Sequence, residues 1–250
     1  MDFDFSNDQE QLRDAVRKWV DKGYTFERHN SIVREGGFSR AAWTELAELG
    51  LCGLYISEDH GGMGMGPTEG MLAMEELGRG IVMEPLAHAL IAGGVFSGYA
   101  PADVQAEWLP KVASGEALIV LAHQERKARY QLDKCEAKAT PAQAGWTLTA
   151  TKSIVPAGDQ ADAYLVPAMV DGTLAMFLVE RNASGVIAQG YGTQDGSRAA
   201  EVVFDNAAAT LVTRDGLTAL EHAVDIGIAA LCAEAVGVMD KTLDITVDYM

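Results

Sequence analysis

The sequence predicts an α+β fold: an N-terminal α-helical domain, a small middle β-barrel or sandwich, and the start of a C-terminal helical bundle. Three observations carry this expectation. Apolar residues recur at helical spacing through the first hundred-odd positions. From Ala117 the pattern changes to short apolar and β-branched runs separated by Gly and Asn/Asp turns. From Leu217 helical spacing returns. The expected division is 1–116, 117–214 and 215–250, the last being the first helix of a bundle whose remainder is not in the chain.

The helices come first. Ser6 and Gln9 make a capping box, and Leu12, Val16, Trp19 and Val20 then share a face. Ser39 caps a second helix with the stripe Trp43, Leu46 and Leu49, and Gly50 stands where a C-terminal cap is expected. Residues 58–66 form a glycine-rich loop that lacks the Gly-x-Gly-x-x-Gly spacing and follows no strand, so it reads as a tight helix connection. Thr68 is expected to cap a third helix carrying Met71, Leu72, Glu75 and Leu77. Helical patterning continues over 88–96 and 102–112. Strands are expected at 117–122, 146–155, 163–170, 174–179 and 201–204, a spacing that suits a small barrel or sandwich. In the last helix Leu220, Val224, Ile228, Leu231, Val238 and Leu243 recur with Ala and Gly between them. That helix is apolar on most faces and is expected to be buried in a bundle. Its pattern reaches Met250 without a stop signal, as expected of a piece of a larger protein or of a helix partnered by other subunits.

Composition narrows the function classes. The 250 residues are 48% hydrophobic, which supports a sizeable core. The net charge of −17, from 19 Lys+Arg against 36 Asp+Glu, opposes nucleic acid and anionic membrane surfaces as partners. No leader is expected from Met-Asp-Phe-Asp-Phe, and apolar runs such as Ile226 to Cys232 are too short to span a membrane. Cys52, Cys135 and Cys232 fit free thiols in a reducing cytoplasm, and neither they nor the five histidines show metal-ligand spacing.

Several stretches resemble one family. The segment Phe5-Ser-Asn-Asp-Gln-Glu-Gln-Leu-Arg13, the helix Trp43 to Gly53, the loop Glu58-Asp59-His60-Gly61-Gly62-Met63-Gly64, the run Met74-Glu75-Glu76-Leu77-Gly78-Arg79, Leu109-Pro110 with Ser114-Gly115-Glu116, and Thr242 to Met250 occur in the order found in acyl-CoA dehydrogenases. Ala122-His123-Gln124-Glu125-Arg126, Ala128-Arg129-Tyr130, Lys152 to Val155 and Thr193 to Glu201 are closest to the branch of the pimeloyl-CoA dehydrogenase small subunit.

The resemblance implies FAD as cofactor and α,β-dehydrogenation of an acyl-CoA thioester. A carboxylate would remove the α-proton while hydride leaves the β-carbon for the flavin. It also implies electron-transferring flavoprotein as acceptor, a role in fatty acid metabolism, and a homo- or hetero-tetramer with a larger homologous subunit. Ala122, Gln124 and Glu125 fall on the family's first flavin strand, which usually reads Thr-Glu-Pro-x-x-Gly-Ser-Asp. Ile154, Val155 and Pro156 fall on the second, usually Lys-x-Trp-Ile-Thr/Ser. Only Glu125 keeps the first pattern. Pro156 offers neither hydroxyl nor N–H. Tyr130 stands where a serine meets substrate, so the pocket is expected to differ in shape. Arg126 and Arg129 either bind phosphate or a carboxylate-bearing acyl tail, or pair with the protein's own carboxylates.

The base is expected beyond Met250. A minority of the family place it on the long helix, at the position of Gly227, with Asp225 the nearby carboxylate. Two other readings stay open: a non-catalytic partner that completes a neighbour's site, and an acyl-CoA binding homologue without the chemistry.

Overall fold

A computed structural model describes residues 4–143 and 145–250. Met1 to Phe3, on which the reading of the N-terminus rests, lie outside the described residues. The α+β architecture is present.

Among the described residues six α-helices precede the sheet. α1 (Asn7–Gly23) starts on the expected capping box: Ser6 Oγ accepts from Gln9 N–H and Gln9 Oε1 accepts from Ser6 N–H. α2 (Phe26–Arg34) was not expected. It buries only Ile32, so it has almost no stripe to read, although Thr25 caps it. α3 (Arg40–Glu48) is capped by Ser39 and ended by Gly50 at φ 80°. α4 (Pro67–Arg79) corrects the expected cap. Thr68 lies inside the first turn, Pro67 is the first helical residue, and Glu69 reaches back to accept from Gly66 N–H. α5 (Leu86–Tyr99) and α6 (Ala102–Ala113) complete the layer.

The sheet closes on itself. Its strands are β1 (Ile119–Leu121), β2 (Lys138–Pro141), β3 (Trp146–Pro156), β4 (Ala163–Val170), β5 (Thr173–Glu180), β6 (Val186–Gly192) and β7 (Arg198–Thr213). Following the pairings from β2 to β3, β7, β5, β4 and back to β2 describes a barrel, with β1 added beside β4 and β6 beside β7. β2 and β6 escaped the sequence reading because they are short or mostly exposed, so they carry little alternation. A register shift between Lys152 and Val155 in the β3–β7 ladder holds Ile154 at φ 52° and turns its side chain outward.

α7 (Gly216–Tyr249) crosses α4 and α5. Gly78 and Gly237 make the α4 crossing possible. A Cβ on Gly78 would stand 2.1 Å from Glu234 O, and one on Gly237 1.8 Å from Glu75 O. Arg79 then reaches Asp240 at 2.6 Å and Asp244 at 3.1 Å.

Within this chain α7 buries one face. One stripe of small residues, Ala219, Ala223, Ala230, Ala233 and Gly237, is buried with Leu220. Leu231, Met239, Leu243, Ile245 and Val247 are exposed. The reading of membrane spans is corrected: by length and composition alone α7 could cross a membrane, because its scattered charges shorten the apolar run without lowering the average. The buried small-residue stripe is the packing of a helix docked on its neighbours.

Candidate functional site

A cavity of about 520 Å³ opens where the helical layer, the barrel and α7 meet. Most of its wall is apolar. Met74 and Leu77 come from α4, Leu86 and Ile91 from α5, and Val224, Gly227, Ile228 and Leu231 from α7. The barrel contributes the chain leaving β1, the end of β3 and the β6–β7 turn.

That turn is fixed by polar contacts. Asp195 Oδ1 accepts from Ser197 N–H at 3.0 Å and from Ser197 Oγ at 2.8 Å. Burial opposes ionisation of Asp195, but these bonds and one from Thr193 prevail and lower its pKa. Arg198 pairs with Asp159 and donates to Gly36 O at 3.0 Å, which ties the barrel to the α2–α3 connection. The approach is close: a Cβ on Gly37 would stand 2.2 Å from Gly196 O.

Four ionisable groups in the wall were not singled out from the sequence. Glu84 is buried, and burial raises its pKa against the bonds it accepts from Tyr24 and Ser39. Glu234 projects from α7 two helical turns beyond Gly227. Burial, and then the charge of Asp195, raise its pKa. His88 accepts from Leu121 N–H through Nδ1 at 3.2 Å, which leaves the ring proton on Nε2. The His123 ring has no hydrogen-bond partner among the described residues. Burial lowers the pKa of both to about 4, helped for His88 by His123 and for His123 by Lys152. Both imidazoles are therefore neutral at pH 7. The signal was present in sequence: His123 ends an apolar run of six residues, and His88 and Glu234 interrupt apolar helices.

The expected flavin positions divide. Gln124 and Pro156 line the cavity. Ile154 is exposed on the barrel just outside it. Ala122, Glu125 and Val155 are buried and are not among the residues that line it. Glu125 is fully engaged behind the wall. It accepts from Lys152 Nζ at 2.7 Å, Glu136 N–H at 2.6 Å, Ala137 N–H at 3.1 Å and Cys135 Sγ at 3.4 Å. Burial opposes its charge, but Lys152 and these bonds lower its pKa. Lys152 is fully buried and also donates to Pro167 O at 3.0 Å and His123 O at 3.4 Å.

The two arginines also divide. Arg126 is 3.6 Å from Glu201 and turns toward that carboxylate. Arg129, at φ 54°, lines the cavity, and its guanidinium has no partner among the described residues. Tyr130 lines the mouth and is 93% exposed. Asp225 is exposed and does not line the cavity: it lies two residues before Gly227, on another helix face.

These residues fit one side of a flat flavin ring. The Gln124 amide is unpartnered among the described residues and can meet a polar ring edge, while Ile154 and Pro156 offer apolar surface beside it.

Residues 6–116 match the model of the acyl-CoA dehydrogenase N-terminal domain. The acyl-CoA dehydrogenase FadE27 of Mycobacterium tuberculosis is 26% identical over 254 residues, covering 100% of this chain and 66% of that protein. The ChsE4–ChsE5 complex of M. tuberculosis is similar at TM-score 0.85 and 25% identity, covering 100% of this chain and 68% of the matched one. A glutaryl-coenzyme A dehydrogenase in complex with glutaryl-CoA shares the fold at TM-score 0.92 and 24% identity, over 100% of this chain and 68% of that one. The chain spans about half to two thirds of the length of the curated relatives it matches. On its N-terminal match, its relatives along the full chain and its helix–barrel–helix order, residues 6–116 carry the N-terminal domain of the acyl-CoA dehydrogenases and the whole chain is similar to proteins of that name.

Proposed function

We propose that this chain is a subunit of an FAD-dependent acyl-CoA dehydrogenase that removes hydrogen across the α,β bond of an acyl-CoA thioester. The observation that carries this reading is the apolar cavity between helices and barrel, with the Glu234 carboxyl in its wall. An apolar cleft with a few converging polar groups suits an acyl chain. When bound, FAD supplies the hydride acceptor. Gln124, Ile154 and Pro156 would hold its ring. Glu234 Oε would take the α-proton, and its raised pKa makes it a stronger base than a solvated carboxylate. The unpaired Arg129 at the rim suits the anionic nucleotide end of coenzyme A.

The assembly we propose is a tetramer, with electrons passing to an electron-transferring flavoprotein. The ChsE4–ChsE5 relative, a complex of two differently named chains, favours a heteromer, and the partner we propose is a larger homologous subunit. Kinship with the pimeloyl-CoA dehydrogenase small-subunit branch rests on residues 122–130, 152–155 and 193–201.

One observation favours a second reading, a partner subunit without its own chemistry. Gly227 lines the cavity at the helix position where the resemblance places a carboxylate in some members. Purification and anaerobic titration separate the two. The first reading predicts a yellow protein whose flavin is bleached by an acyl-CoA, and a Glu234→Gln variant that keeps its colour but bleaches at least 100-fold more slowly, as expected for loss of a general base. A colourless protein that takes up no FAD, and that gains activity only with a larger subunit, contradicts it and supports the second.

A further inference from the structure

We infer that the cavity recognises an uncharged oxygen, a ketone or hydroxyl, on the acyl group, through His88 and His123. This rests on the acyl-CoA reading above and names the class of acyl chain.

The inference comes from mismatched polarity. An alkyl chain asks for an apolar wall, and most of this wall is apolar. Two imidazoles break it. The bond from Leu121 N–H uses His88 Nδ1 as acceptor, so Nε2–H is a donor with no partner among the described residues. His123 follows β1 and brings a second unpartnered ring to the same cavity. A plain alkyl chain filling the space would strip water from both rings and replace none of their hydrogen bonds, an unfavourable exchange. An oxygen on the chain restores at least one.

The surroundings argue against a charged oxygen. The carboxyls Glu84, Asp195 and Glu234 share the cavity and repel an anion. Arg198 is occupied by Asp159 and Gly36 O, and the free Arg129 stands among exposed residues at the rim. Both histidines are neutral at pH 7, so neither offers a positive charge.

Calorimetric titration of the purified protein tests this, with octanoyl-CoA and a set of oxo-octanoyl-CoA isomers whose ketone moves carbon by carbon toward the chain end. At least one isomer should bind about tenfold tighter than octanoyl-CoA, the worth of one buried hydrogen bond. The preference should vanish in His88→Asn or in His123→Leu. Asn at 88 keeps an acceptor near Leu121 N–H and withdraws the cavity donor, so the β1 contact is retained. His123→Gln, which keeps a donor, should restore part of the preference. Isomers that all bind no tighter than octanoyl-CoA overturn the inference and leave the acyl-CoA reading standing, as does a preference that persists in both variants. Failure of every thioester to bind overturns the acyl-CoA reading and the inference with it.

Discussion

Replacing Lys152 with methionine is expected to lower the unfolding free energy by about 3–5 kcal/mol, the cost of leaving a buried charge without its partner. Lys152 is fully buried and its Nζ sits 2.7 Å from Glu125 Oε1. Methionine fills similar space but donates nothing. Glu125 would keep its bonds from Glu136 and Ala137 yet lose the cation paired with it, and Pro167 O would lose its donor. The double variant Lys152→Met with Glu125→Gln should recover much of the loss, because the uncompensated charge is gone while an acceptor for the two N–H groups remains. Urea denaturation of the wild type and the two variants measures this. A single-variant change under about 1 kcal/mol would show that the pair is not sealed from solvent. The pair matters to the site because Lys152 also holds His123 O, and so the chain that presents His123 and Gln124.

Acidification from pH 6.5 to pH 4 is expected to destabilise the protein through the cavity histidines. In the folded state His88 and His123 have pKa values of about 4, below the ordinary 6.5, chiefly because burial disfavours the charged ring. Between those values the unfolded chain binds more protons, so their contribution is full above pH 6.5 and is lost as pH falls toward 4. A shift of this size corresponds to roughly 3 kcal/mol per histidine at the acid end. Glu84 and Glu234 act in the opposite sense, since burial raises their pKa and disfavours folding as pH rises above the ordinary carboxylate value. Comparison with the variant His88→Asn/His123→Gln isolates the histidines: its stability should fall several kcal/mol less than the wild type's across this window. Parallel stability curves would mean that water reaches both rings freely.

Much of the fold was legible in the sequence, because its signals are local. The Ser6–Gln9 box, the Ser39 cap and Gly50 each fix a helix end with neighbouring residues alone. Thr68 lies inside its helix and does not cap it, because Pro67 and the reach of Glu69 to Gly66 N–H place the helix start earlier. α2 and β6 were not legible, since each buries too little to impose a period. The site was harder. Glu125 keeps the family's residue, yet its role is set by a lysine 27 positions away. Arg126 and Arg129 look equivalent in sequence, and only the fold brings Glu201 to one of them. Glu84 with His88, His123, and Glu234 come from three separate segments, so their convergence is a property of tertiary structure.

Whether the cavity holds the acyl chain is most directly measured by titrating octanoyl-CoA into the wild type and Gly227→Phe. A Cβ at 227 meets only Ile91 Cδ1, at 3.5 Å, so the ring can enter the cavity without disturbing the helix backbone. Binding by the wild type, weakened at least tenfold in a variant of unchanged helical content, is the predicted result. Equal affinity in both proteins, or no binding by the wild type, would contradict it.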